Sequence, residues 1–147
     1  LTRIEFIRKT ANETVNNSTT LQNDDTLLAA LAVSEVVAFQ CSVHFDSSTV
    51  ADIQFAFTVP AAATIRWGMA GDYRNAAGSS TALATDTSGT ALSVVGSGAG
   101  TLTHLMLVGT VVNGANAGNL QLQWAQNTAE VSDTIVRANS WLSVLRV

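Results

Sequence analysis

Val37-Ala38-Phe39-Gln40-Cys41-Ser42-Val43-His44-Phe45 is the stretch that decides the fold. The odd positions Val37, Phe39, Cys41, Val43 and Phe45 make one apolar face. Ala38, Gln40, Ser42 and His44 make the other. A period of two is the signature of a strand, because successive side chains point to opposite faces of a sheet. The same period runs outward in both directions. Arg3-Ile4-Glu5-Phe6 alternates charged and apolar residues and predicts a half-buried strand. Ile53, Phe55, Phe57 and Val59 repeat the pattern until Pro60, which cannot donate to a central ladder. Ile65, Trp67 and Met69 continue it, followed by Leu105, Leu107, Gly109 and Val111, then Leu120, Leu122 and Trp124. Trp141 to Val147 closes the chain as a strand-like run.

Turn chemistry separates these runs at Gln22–Asp25, Asp46–Ser48, Ala70–Asp72 and Asn113–Asn116. Thr26 to Val33 contains good helix formers, yet eight residues between turns fit a strand as well. The window from Gly78 to Gly100 is loop-like, with a short strand at Ala91 to Val95, and Gly96–Gly100 reads as a flexible loop. Together the pattern predicts an all-β chain, an antiparallel sandwich or jelly roll of about eight to ten strands. The length suits one domain over residues 1–147, with residues 1–20 as an N-terminal arm leading into it.

Composition narrows the function by exclusion. The chain has 147 residues, 12% of them charged, a net charge of −4 and a single lysine. Such a chain is a poor electrostatic binder of nucleic acid, which needs clustered Lys and Arg. One cysteine gives no internal disulfide and no zinc site. The stretch Asp86 to Glu130 encloses 43 residues without a formal charge, His104 aside, but its apolar core from Leu105 to Val112 is too short to span a bilayer. The opening residues do not read as a signal peptide. With no initiator Met, the chain reads as processed, trimmed or a fragment.

The surface must be covered by something other than charge. Thr and Ser fill 31 positions and Asn ten more, which accounts for part of it. The strands around Val36–Phe45 and Leu105–Val112 are apolar on both faces, so one face is expected to meet another copy of the chain, the alternative being a central strand covered by a loop. The candidate interface residues are Val36, Ala38, His44, His104, Met106 and Val108.

Chemistry-bearing patterns are sparse. Cys41 and His44 fall on opposite faces of one strand and cannot form a nucleophilic pair. Asp24-Asp25 lacks the alternating oxygen ligands of a calcium loop and reads as a turn exposing two carboxylates. Gly96-Ser97-Gly98-Ala99-Gly100 lacks the spacing and the lysine of a phosphate loop. A polysaccharide hydrolase would need acids such as Asp72, Asp86 and Asp133 to converge, and no motif brings them together. The reading is therefore of no enzyme, no metal and no cofactor. Sequons at Asn12, Asn16 and Asn17 fit chance in an Asn/Thr-rich chain. Asp72, Tyr73, Arg74 and Asn75 form a candidate partner-contact loop around an aromatic outside the strand pattern.

Four segments carry a family likeness. Lys9–Asp25, Asp52–Pro60 followed by Arg66-Trp67-Gly68, Leu120–Thr128 and Ser140–Val147 together resemble a domain common in structural proteins of tailed bacteriophages. Leu27 to Val33 departs from the family, which often places Pro or an aromatic there. The resemblance implies a jelly roll similar to C1q and tumour-necrosis-factor domains, usually trimeric. It further implies a virion location, a homotrimer, and contact with the major capsid protein or other virion proteins. The expected role is a capsid decoration protein cementing the outer shell. The alternative is a tail-fibre or head-fibre tip binding a host surface glycan, and neither role involves nucleic acid or membrane.

Overall fold

The computed structural model describes residues 2–71, 74 and 84–147. The described residues contain strands and turns and no helix, hence no helix able to cross a membrane. In chain order the strands are β1 (Arg3–Arg8), β2 (Glu13–Val15), β3 (Gln22–Leu31), β4 (Val36–Ser47), β5 (Ile53–Thr58), β6 (Thr64–Ala70), β7 (Ala84–Thr85), β8 (Leu92–Val94), β9 (Gly98–Val112), β10 (Gly118–Gln126), β11 (Thr134–Val136) and β12 (Trp141–Arg146). They form two antiparallel sheets. The larger runs β1-β12-β4-β9-β6-β7, with β11 and β2 attached beside β4, and the smaller runs β3-β10-β5-β8.

Pairing is nested. β1 pairs with β12, β3 with β10, β4 with β9 and β5 with β8. Among these eight strands the first meets the last, the second the seventh, the third the sixth and the fourth the fifth. That is the connectivity of a jelly roll, a long antiparallel ribbon wrapped into two sheets.

Period two places the core. The odd face of β4 lies buried between the sheets, with Leu105, Leu107 and Val111 of β9, Leu142 and Val144 of β12, and Ile65 and Trp67 of β6. Ile53, Phe55 and Phe57 of β5 and Leu120, Leu122 and Trp124 of β10 face them from the smaller sheet. Rings interdigitate across the gap. Phe57 stands 4.8 Å from Phe39 and 5.1 Å from Trp67, and Phe45 stands 5.8 Å from Phe55. Such tilted and edge-on pairs add to what their buried area contributes. Gly109 makes room for this cluster, since a Cβ there would sit 2.7 Å from the Phe39 ring.

One open sequence reading is settled and three expectations change. Thr26 to Leu31 belongs to strand β3, because its alternate residues Leu27, Ala29 and Leu31 are buried against the core. Gln22–Asp25 is not a turn between elements. It lies within β3, where Leu28 pairs with Gln121 and Asn23 with Gln123, so a bulge absorbs the residues between. Gly96–Gly100 is not a loose loop. The Gly96 N–H donates to the Asp52 carboxylate at 2.8 Å, and a Cβ at Gly96 would lie 2.3 Å from the Ser48 carbonyl oxygen. Residues 3–8 and 13–15 of the expected arm are strands of the larger sheet, paired with β12 and β11.

One end of the sandwich is closed by uncharged polar groups. The Gln126 side chain donates to the carbonyls of Glu130 and Ser132 and accepts from the N–H groups of Ser18 and Glu130. Ser47 donates to the Asp52 carbonyl at 2.7 Å and shares a hydrogen bond with Thr134 at 2.9 Å. All of Gln126, Ser47 and Thr134 are buried. Two sequon asparagines also serve structure: Asn12 accepts from the Ala138 N–H, and Asn16 donates to the Val131 carbonyl and to Asp133.

Candidate functional site

The outer face of the larger sheet is the most distinctive surface. Residues opposite one another in a ladder share a face, so the register draws its rows. One row is Ile4, Leu145, Ala38, Thr110 and Arg66. The next is Phe6, Ser143, Gln40, Val108 and Gly68, and a third is Arg8, Trp141, Ser42, Met106 and Ala70. Ile4 is 68% exposed and Phe6 59%, and the Phe6 ring rests 5.4 Å from that of Trp141. A shallow groove of about 530 Å³ runs between Ile4, Ala38, Val108 and Leu145. Val36 and Val112, opposite each other at the end of β4 and β9, are also exposed.

All six candidate interface residues, Val36, Ala38, His44, His104, Met106 and Val108, fall on this face. Sequence reasoning missed Ile4 and Phe6. Alternation in Arg3–Phe6 identified the strand, but the apolar side was expected to be the buried one. The structure reverses this. Glu5 and Arg3 sit on the side facing the core edge, where Arg146 takes Glu5 and Glu35 together, leaving Ile4 and Phe6 outside. The signal that could have found this is Arg146, a charge amid an apolar terminal strand that needs acidic partners.

His44 and His104 face each other across β4 and β9 with ring centroids 4.9 Å apart. His104 Nε2 shares a hydrogen bond of 2.8 Å with the Ser42 hydroxyl. Burial holds the His44 imidazole below its ordinary pKa, and the nearby His104 adds to that. His44 is therefore neutral at pH 7. Cys41 is fully buried on the opposite face, and burial pushes its thiol far up, so it is an inert core residue.

Asp72, Tyr73 and Asn75 of the candidate contact loop lie outside the described residues. Arg74 is exposed, and its carbonyl accepts from the Val95 N–H at 3.0 Å. Of the acids a hydrolase would need, Asp72 also lies outside the described residues. Asp86 is exposed, and Asp133 is held by Asn16.

A second cluster lies inside. Lys9, the only lysine, is 1% exposed. Its ammonium lies 2.6 Å from Glu13, 3.1 Å from Asp24 and 2.6 Å from Asp25. Those three carboxylates form the one grouping among the described residues with metal-ligand spacing, and the lysine occupies its centre. Asp24 is buried, not exposed as the turn reading predicts. It accepts from the N–H groups of Thr26 and Leu27 at 2.9 and 2.8 Å and from Trp124 Nε1 at 3.2 Å. Capping of local N–H groups by an aspartate is turn chemistry, here spent on the β3 bulge. Burial works against the charge on Lys9, but its carboxylate partners outweigh this and raise its pKa. Burial raises Glu13, with Lys9 opposing, whereas the hydrogen bond from Lys9 lowers Asp25.

No known protein family matches the chain, and no curated protein does. Among solved structures it is similar to one of infectious bursal disease virus, Gt strain, at 11% identity and a TM-score of 0.38, covering 98% of this chain and 32% of that one. A structure of the Gx strain of the same virus gives 11% identity and a TM-score of 0.27 over 99% of this chain and 40% of that one. The VP2 subviral particle of that virus gives 10% and 0.28 over 99% and 41%. The chain thus spans 32–41% of the length of these three structures. A likeness this loose fixes neither family nor function.

Proposed function

We propose that the chain is a non-enzymatic structural protein of a virion, assembled as a homotrimer through the outer face of its larger sheet. The observation that carries this reading is the apolar character of that face. Ile4, Phe6, Val36 and Val112 are exposed there, around a groove that Ala38, Val108 and Leu145 line. Exposed apolar patches of this kind mark contact surfaces, and the groove, lined by uncharged residues alone, matches the core of a subunit interface. The number three, the virion and the capsid come from the resemblance of Lys9–Asp25, Leu120–Thr128 and Ser140–Val147 to phage structural domains. A trimer suits a three-fold junction on a shell, where its symmetry matches the site. Decoration of the outer capsid is accordingly the preferred role.

Light scattering on the purified chain tests the assembly. The expected mass is three chains, falling to one in Phe6→Glu with the far-ultraviolet strand signal unchanged. A wild-type monomer at micromolar concentration would remove the interface. Co-sedimentation with purified shells then separates the roles: saturation at hundreds of copies per particle supports decoration. Binding to host cells that free sugars compete away would replace it with a fibre tip.

A further inference from the structure

We propose that Lys9 and Asp24 condense into an intramolecular side-chain amide, with Glu13 carrying the protons, so that the two sheets are joined covalently. Lys9 follows β1 of the larger sheet and Asp24 lies in β3 of the smaller, so the bond would bridge the layers of the sandwich. The proposal does not depend on the virion reading.

The geometry supplies every part of an acyl transfer. The nucleophile is Lys9 Nζ, which lies 3.1 Å from both oxygens of Asp24. Asp25 is a poorer acceptor, since Nζ contacts one of its oxygens only and its side chain is 68% exposed to competing water. The Asp24 side chain is fully buried. The backbone N–H groups of Thr26 and Leu27 converge on Oδ1, where negative charge gathers in a tetrahedral intermediate. Trp124 Nε1 holds Oδ2, the oxygen that leaves. Glu13 Oε2 lies 2.6 Å from Nζ, and its carboxylate belongs to the same tight grouping as that of Asp24. Its contact with Nζ suits a general base, and it also takes the acid role, for which its side chain must swing within hydrogen-bond reach of Oδ2.

The step balances without any co-reactant. Glu13 passes one proton from the ammonium to Oδ2, leaving an amine and a carboxylic acid. Nζ attacks Cγ, and the N–C bond forms. Glu13 passes a second proton from nitrogen to Oδ2, the Cγ–Oδ2 bond breaks, and water departs. An ammonium and a carboxylate have become an amide and one water. The carboxylates that keep Lys9 charged slow the first transfer. Burial, by raising Glu13, makes it the better proton acceptor. The reaction need occur only once per molecule, and fixed proximity raises the effective concentration of the reactants enormously.

Intact mass spectrometry of the folded full-length chain, held at neutral pH, tests this. The expected mass is one water below that of the sequence, and fragmentation should give a branched peptide joining residues 9 and 24. The full mass would overturn the proposal. So would a water lost as a succinimide in an unbranched peptide, or a branch at Asp25. Glu13→Gln keeps both reacting side chains and is expected to retain the full mass with an unchanged far-ultraviolet strand signal. A fully cross-linked Glu13→Gln chain would remove Glu13 from the mechanism. Should that variant fail to fold, the wild-type mass and branch point still decide.

Discussion

The interior of the sandwich solves the burial of polar groups in two different ways. One region is ionic: Lys9 with Glu13, Asp24 and Asp25. The other is neutral, with Gln126, Ser47 and Thr134 tying loops together at one end. A buried charge needs its partner far more than a buried amide does, because a stranded ion costs several times a stranded hydrogen-bonding group. The ionic region is thus nearly all-or-none, whereas the neutral one yields by degrees.

The largest expected effect comes from removing the Lys9 side chain. Lys9→Met leaves Asp24 buried with neither a counter-charge nor an amide partner and should cost about 3–5 kcal/mol, read as a fall in the urea midpoint. A loss under about 1 kcal/mol would show that the carboxylates simply take up protons or water. Gln126→Ala strips partners from the carbonyls of Glu130 and Ser132 and from the Ser18 and Glu130 N–H groups. Several of those can turn to solvent, so the loss should be about 1–3 kcal/mol. A Gln126→Ala chain less stable than Lys9→Met would invert the comparison.

Acid provides the smallest and most discriminating contrast. Burial works to raise Glu35, but Arg146 outweighs it and its pKa is lowered. Its contribution is present above the unfolded pKa and is lost as pH falls through the folded one. Burial raises Asp52, against the Gly96 N–H. Its contribution is full at low pH and is lost as pH rises through the folded pKa. Glu35→Gln should therefore lower the melting temperature at neutral pH and converge on the wild type in acid. Asp52→Asn, which keeps an acceptor for Gly96, should raise it at neutral pH and lose that advantage in acid. Parallel shifts of both variants would break the distinction.

Much of the sandwich is legible in the sequence because period two is a local property. The odd residues of β4, together with Ile53, Phe55, Phe57, Leu120, Leu122 and Trp124, are all buried. The same arithmetic places Val36, Ala38, His44, His104, Met106 and Val108 on the opposite face. What stayed hidden depends on partners far along the chain. Ile4 and Phe6 face outward because Glu5 answers Arg146, which lies 141 residues away. Asp24 and Asp25 carry the chemistry of a turn, and a bulge uses that chemistry equally well. Gly96 reads as loose until Ser48 is placed against it.

The nested ladder also governs how the chain can fold. Of the described strands β1 is synthesised first and its partner β12 last. Only β5 and β8, the innermost of the nested pairs, can join early, and each later pair closes a longer loop around it. Contacts so distant in sequence make folding slow, because chain entropy is lost before they form. Until β12 arrives, β1 has no neighbour on that side and β4 keeps an open apolar edge. A nascent chain of this design completes its sheets late and in close succession.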